Sequence, residues 1–327
     1  MLFPLTIDLP HGTAPDASHP LYDVTVTTRG LCPRCGCEHT LPAGVARAEC
    51  TSLMRLLEQH GRIDMQAPDD AADPHFSLDY LHGVARGQMF GVLVVRTQDG
   101  SYGTLRAFSA QYNRVWHVAG WVPPLIDIAA FDAQVAKDDP IINARGRRIR
   151  ELDAAIADER DAAEQAPQDI PGTTDSAVTA GTAPMPVDAL PAPTRLDLLM
   201  RERAALVDER KGLSQRSMRA IHELYRVHSF GNRTDRADGA DRAASLFEIF
   251  PAGRGVPTGT GDCCAPKLLQ YAILHNMTPL GLAEFYWGRE SRSGARLHGE
   301  FYPSCQDKCY PILGYMLCGL EEQAVTG

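Results

Sequence analysis

No run of eighteen consecutive apolar residues occurs anywhere in the 327 residues, so no membrane-spanning helix is expected. The start, MLFPLTIDLPHG, has neither a basic opening nor a long apolar stretch. No secretory signal is therefore expected, and the reading is a cytoplasmic protein with reduced thiols. Positive charge is also short. With 32 Lys and Arg against 41 Asp and Glu, the formal net charge is −9, which excludes a protein that coats nucleic acid by bulk charge. A local basic face stays open. Arg145-Gly146-Arg147-Arg148-Ile149-Arg150 either touches a phosphate backbone or is the solvated side of a charged helix beside Glu151 and Asp153. Nine cysteines, an odd number in a reducing compartment, read as metal ligands plus buried thiols and not as a disulfide framework.

The length suggests about two domains, or one with a large insertion. Residues 1–43 are rich in Pro and His and read as an irregular segment carrying Cys32-Pro33-Arg34-Cys35-Gly36-Cys37, like half a zinc ribbon. The first part of an α/β domain, 44–132, opens with a helix over 44–61. Ala46, Cys50, Leu53 and Leu57 recur on one face of it, and Gly61 stops it. The stretch 89–110 predicts a β-hairpin: an apolar run from Met89 to Val95, then the turn signal Asp99-Gly100, then an alternating partner strand. Residues 133–230 read as an inserted antiparallel helical hairpin. Its Pro/Ala/Thr-rich tip, 167–193, is expected to be disordered. The second helix begins at a Thr194-x-x-Asp197 capping box, with Leu199, Leu206 and Leu213 at coiled-coil spacing. The second part of the α/β domain, 231–327, predicts a helix from Cys264 to His275, a strand from Pro279 to Gly288, and a helix over 308–320 entered through Cys305.

That last part concentrates the reactive side chains. Cys263, Cys264, His298, Cys305 and Cys309 are candidate zinc ligands. Cys305 and Cys309, four apart, share one face of a helical first turn, where the helix dipole favours thiolates. Cys263 or Cys264 begins another helix and could aim at the same spot. Glu300, Asp262 and Glu284 are the candidate proton carriers. A bland alternative exists for each: buried small thiols, a polar loop for His298 and Glu300, a helix cap for Asp262, a solvent-facing strand position for Glu284. Cys32 and Cys35 suggest a second, structural zinc site, with His39 and Cys50 as further candidates.

The segments Gly261-Asp-Cys-Cys-Ala-Pro-Lys-Leu-Leu-Gln-Tyr-Ala272, Leu282-Ala-Glu-Phe-Tyr-Trp-Gly288 and His298-Gly-Glu-Phe-Tyr-Pro-Ser-Cys-Gln-Asp-Lys-Cys-Tyr-Pro-Ile-Leu-Gly-Tyr-Met-Leu317, with Met89-Phe-Gly-Val-Leu-Val94 and Val122-Pro-Pro-Leu125, resemble the long N-terminal, non-catalytic region of RluA-type pseudouridine synthases. The resemblance implies a link to RNA modification, with RNA or a nucleotide and a pseudouridine synthase polypeptide as partners. In that family the catalytic domain follows, whereas this chain stops at Gly327. The nearest text to the family's His-Arg-Leu-Asp motif is Thr194-Arg195-Leu196-Asp197, read here as a cap. The chain is therefore not expected to isomerise uridine by itself.

The order helix, hairpin, helix, strand, helix is also similar to the zinc-dependent cytidine deaminase superfamily. That likeness implies a three-layer α/β fold around a small mixed sheet, with the helical hairpin inserted. It further implies a zinc, held by Cys264, Cys305 and Cys309, that activates water against a base. Three features depart from the superfamily, the first being that its usual later strands are not found before residue 327. The usual acid two residues after the first ligand would be Pro266 if Cys264 is that ligand, and the cysteine pair is spaced Cys-x3-Cys. The expectations are thus a zinc protein associated with RNA modification, acting either as a diverged deaminase or as a non-catalytic RNA- or protein-binding module. Tyr286, Trp287, Phe301 and Tyr302 flank the cluster and either stack a base or pack in the core.

Overall fold

The computed structural model describes residues 1–4, 18–19, 21–165, 192–232, 243–251, 253 and 255–320. The chain divides into two units: Met1–Phe131 with Ala220–Gly327, and Asp132–Arg219. Among the described residues, no helix is long and apolar enough to cross a membrane.

The larger unit is built on a five-stranded sheet in the order β1 (Phe3–Pro4), β5 (Tyr102–Phe108), β4 (Gln88–Arg96), β6 (Thr278–Trp287), β7 (Phe301–Tyr302). The Asp99-Gly100 turn, with Gly100 at φ 86°, makes β4 and β5 a tight hairpin and hence antiparallel. The opposite edge of β4 pairs antiparallel with β6. Every neighbouring pair in this sheet is antiparallel, so the expected mixed sheet is corrected: β5 and β6 share a direction but never touch, because β4 lies between them.

Side chains alternate along β4 with the two-residue period of a strand. Phe90, Val92 and Val94 enter one core with Leu53 and Leu57 of α1 (Ala46–His60). Met89, Leu93 and Val95 enter the other, with Leu268 and Leu269 of α6 (Cys264–Leu274) and Ile312 and Leu313 of α7 (Gln306–Leu317). Both faces of β4 are thereby buried, as its unbroken apolar run requires. The buried side of α1 is Ala46, Cys50, Leu53 and Leu57, the four residues its spacing singles out. The short helices α2 (Asp79–His82) and α5 (Leu246–Ile249) also belong to this unit, the latter started by a Ser245/Glu248 capping box.

Residues 1–43, expected to be irregular, contain a second sheet: β2 (Asp23–Leu31) paired antiparallel with β3 (Glu38–Gly44). The β-branched alternation Val24-Thr25-Val26-Thr27 explains it. β2 lies against α7 at backbone-to-backbone distance. A Cβ on Gly30 would sit 2.1 Å from the Gly314 nitrogen, and one on Gly314 would sit 2.3 Å from the Leu31 carbonyl carbon. Two facing glycines permit this crossing.

The smaller unit holds most of two long helices, α3 (Ile128–Gln165) and α4 (Arg195–Glu223). Ion pairs Arg145–Glu209, Arg148–Glu202, Arg203–Asp153 and Arg195–Glu159 join them in opposite chain directions. The basic stretch 145–150 is thus partly committed to acidic partners on α4. Thr194 and Asp197 cap α4 reciprocally, through the Asp197 N–H on Thr194 Oγ1 at 3.1 Å and the Thr194 N–H on Asp197 Oδ2 at 2.9 Å. Of the expected disordered tip, 167–191 lie outside the described residues.

Candidate metal centre

Two helices start at one place. Cys263 is the N-cap of α6 and Cys305 the N-cap of α7, with Cys309 one turn further along. The three sulfurs lie within 4.8 Å of one another, and among the described residues no fourth Cys, His, Asp or Glu joins them. Gly261, at φ 92°, makes the approach to α6 possible: a Cβ there would be 2.8 Å from the Tyr225 ring. Cys309 is fully buried, while Cys263 and Cys305 are half-buried.

The thiols act on one another. The Cys263 and Cys309 thiols, with the amides at the start of α7 behind them, hold Cys305 far below the ordinary thiol range. Cys263 is pushed up, first by Cys305 and Cys309 and then by burial. At Cys309 the Cys263 thiol lowers the value, but Cys305 and burial together raise it further. Three thiols this close, with the deprotonated form favoured at Cys305, are a donor set whose protons a soft divalent cation would displace. Three sulfurs at a shared point fit three corners of a tetrahedron.

Cys264 is not part of the trio. Its buried Sγ donates to the Met89 carbonyl at 3.3 Å, on the far side of the helix start. Cys50 likewise donates to the Ala283 carbonyl at 3.3 Å. His298 is exposed; its Nδ1 accepts the Gly288 N–H at 3.0 Å and its ring lies 4.1 Å from that of Trp287. Glu300 is exposed and contributes a backbone carbonyl to the Tyr286 N–H. Neither joins the sulfurs.

Of the three candidate acids, Glu284 is buried and Asp262 half-buried near the trio. Asp262, beside Cys263, accepts the Tyr225 hydroxyl at 2.5 Å, and burial raises its carboxyl. Its carbonyl takes the Ala110 N–H at 2.7 Å. Glu284 points inward from β6 and is 3% exposed, not the solvent-facing residue that alternation on a half-exposed strand allows. Its Oε1 accepts the Ala265 N–H at 3.2 Å and the Ser304 hydroxyl at 3.0 Å. Those two residues stand two after Cys263 and one before Cys305, so a single carboxylate oxygen bridges the chain beside both metal-facing helix starts. Ser304 is paired in turn with the Thr28 hydroxyl at 2.8 Å. Burial pushes the Glu284 carboxyl up to about 7, against the lowering pull of Ser304 and Ala265.

Glu284 also lines a cleft of about 260 Å³. Thr25, Thr27 and Arg29 of β2, Arg47 of α1, and Phe301 and Tyr302 of β7 line it too. Phe301 and Tyr302 are half-buried at its wall, with the Arg47 guanidinium 4.4 Å from the Phe301 ring centre. Trp287 and Tyr286 are core residues.

Lys267, Ser304 and Cys318 carry no signal in short sequence spacing. Lys267 is wholly buried on α6, donating to the carbonyls of Phe108 at 3.0 Å and Ala110 at 2.7 Å. It fixes the end of β5 and the turn that receives Asp262. Comparison with family models, curated proteins and solved structures finds no match for this chain.

Proposed function

We propose that the chain is a zinc-dependent hydrolase that deaminates a nucleobase in RNA or a nucleotide, with Cys263, Cys305 and Cys309 as the ligands and Glu284 as the proton carrier. The observation that carries this reading is the joint placement of the three thiols with a buried carboxyl bonded beside both helix starts. Three protein ligands are the pattern of catalytic zinc, whereas four close a structural site. When bound there, zinc would supply a Lewis acid that makes a water nucleophilic near neutral pH.

The protein's own part is proton movement and orientation. Hydrolytic deamination adds water to the ring carbon bearing the exocyclic amine and releases ammonia. A carboxyl near pH 7 is suited to take the water's proton and return it to the ring nitrogen and the departing amine. The superfamily's acid sits two residues after the first ligand. Here that position is Ala265, and the Glu284 carboxylate lies on the Ala265 N–H, so a residue from the neighbouring strand brings the acid to the same place. Ser304, held by Thr28, keeps the carboxylate oriented. Phe301 and Tyr302 offer faces for base stacking, and Arg29 and Arg47 offer charge for a phosphate.

The element order and the antiparallel placement of β4 between β5 and β6 support a deaminase-like layout, with the helical unit Asp132–Arg219 as the inserted hairpin. The association with RNA modification, and with a pseudouridine synthase polypeptide, rests on the resemblance of 261–272, 282–288 and 298–317, segments that contain the thiols and the acid. The second reading, an accessory module without chemistry, is favoured by exposed Ile141, Leu198, Met200 and Val207 on the long helices.

The test is ammonia release from cytosine- and adenine-containing nucleosides, nucleotides and RNA by the zinc-loaded full chain, beside Glu284→Gln. Turnover that falls about 10²- to 10⁴-fold in the variant, with its zinc retained, is the expected result. Turnover unaffected by the substitution removes Glu284 from the role. No turnover on any of these substrates leaves the accessory module.

A further inference from the structure

A second group of ligand atoms lies outside the site just described. Residues 32–37 fold into a tight turn at the tip of the β2–β3 hairpin. The Cys32 N–H donates to the Cys37 carbonyl and the Gly36 N–H to the Cys32 carbonyl, both at 2.9 Å, with Gly36 at φ 72°. The turn brings Cys32 and Cys35 together, and His39, the second residue of β3, places Nε2 3.1 Å from Cys35 Sγ. The fourth member is Cys318, 283 residues beyond Cys35 and the residue that caps the C-terminal end of α7. Its Sγ is 3.9 Å from Cys35 Sγ. All four ligand atoms lie within 4.8 Å of one another. Zinc–sulfur bonds of about 2.3 Å in a tetrahedron set sulfurs roughly 3.8 Å apart, and the Cys35–Cys318 separation matches that edge. Cys37 is turned aside, donating to the Cys35 carbonyl at 3.7 Å.

We propose that Cys32, Cys35, His39 and Cys318 form a second, closed zinc site, structural in kind, that ties the tip of the β2–β3 hairpin to the C-terminal end of α7. Three sulfurs and one imidazole fill all four positions of tetrahedral zinc and leave none for substrate. The ligand set is soft enough to select zinc over magnesium or calcium. The consequence is mechanical. β2 already lies along α7 through the facing Gly30 and Gly314, and β2 carries Thr28, which holds Ser304. The clamp at one end of α7 therefore fixes the strand that supports the carboxylate at the other. This inference does not depend on the deaminase reading.

The test counts zinc per chain in full-length protein for the wild type, His39→Ala, Cys318→Ala and Cys263→Ala, with cobalt substitution to report the ligand set by its absorption. His39 is half-buried on a hairpin and its loss leaves both cores intact, so that variant covers the case in which Cys318→Ala does not fold. The expected result is two zinc ions in the wild type. One is lost in His39→Ala with the cobalt spectrum of the other site unchanged, and the other is lost in Cys263→Ala. Wild-type zinc content in both His39→Ala and Cys318→Ala overturns the proposal, as does a disulfide among Cys32, Cys35 and Cys318 in the freshly purified protein. A single ion lost in Cys263→Ala alone overturns this site and keeps the first. A single ion lost in His39→Ala alone keeps this site and overturns the first.

Discussion

Replacing Glu284 with glutamine separates the ionisation of this residue from its shape. Glutamine keeps a carbonyl oxygen for the Ala265 N–H and the Ser304 hydroxyl, so the bridge between the two helix starts survives. It removes the charge. Burial raises the wild-type carboxyl from 4.5 to about 7 in the folded chain. The folded state therefore holds a proton that the unfolded state has released between those two values. The contribution to stability is fully present below about pH 4.5 and is lost as pH rises through about 7. At about 1.4 kcal/mol per pH unit, the loss is of order 3 kcal/mol by pH 8.5. Asp262 is raised by burial as well and slopes the wild type in the same sense, but it is common to both proteins and cancels in the difference. The assay is urea unfolding of both proteins in chelator at pH 5 and pH 8.5, so that no cation sits beside the carboxyl. The stability of Glu284→Gln relative to wild type should rise by about 2–3 kcal/mol between the two conditions. A difference that stays constant to within about 0.5 kcal/mol, the usual scatter of independent effects, would show that the carboxyl is not buried as described.

Lys267→Met leaves the carbonyls of Phe108 and Ala110 without their donor and should cost about 2–4 kcal/mol by urea unfolding. Burial pulls the Lys267 amine down to about 8 from 10.5. The wild type should therefore gain stability as pH rises from about 8 to 10.5, and the methionine variant should lack that gain. Gly314→Ala drives a Cβ into the backbone of Leu31 and Cys32. It should cost more than about 3 kcal/mol and release the zinc proposed at Cys32 and Cys318, measured by melting and by metal content. Tyr225→Phe removes the hydroxyl that lowers Asp262. It should move the Asp262 carboxyl higher still, seen by infrared titration, at a stability cost of about 1 kcal/mol.

Local chemistry made several elements readable from the chain alone. The α1 face follows from four residues at helical spacing, the β4–β5 hairpin from Asp99-Gly100, and the start of α4 from Thr194 and Asp197, whose reciprocal bonds make the Thr-Arg-Leu-Asp text a helix cap. Cys305 and Cys309 come together because residues four apart share a helix face. The sequence favours Cys264 over Cys263 as the first ligand, and the structure reverses that choice. Both stand at the start of α6, and only packing against β4 turns Cys264 toward Met89. Glu284 could not be separated from the other acids by spacing, because its partners Ala265 and Ser304 are 19 and 20 residues away and meet it only across the sheet. Cys318 has no cysteine or histidine neighbour at ligand spacing, and its partner turn lies near the other end of the chain. β2 is hidden in the sequence because Pro and His on either side mask the β-branched run Val24–Thr28 at its centre.

Zinc per chain in Cys305→Ser/Cys309→Ser, set against the wild type, tests the three-thiol centre most directly. The arrangement requires one ion fewer in the double variant, with the ion at Cys32, Cys35, His39 and Cys318 retained. A double variant that binds as much zinc as the wild type would contradict the centre, and the catalytic reading with it.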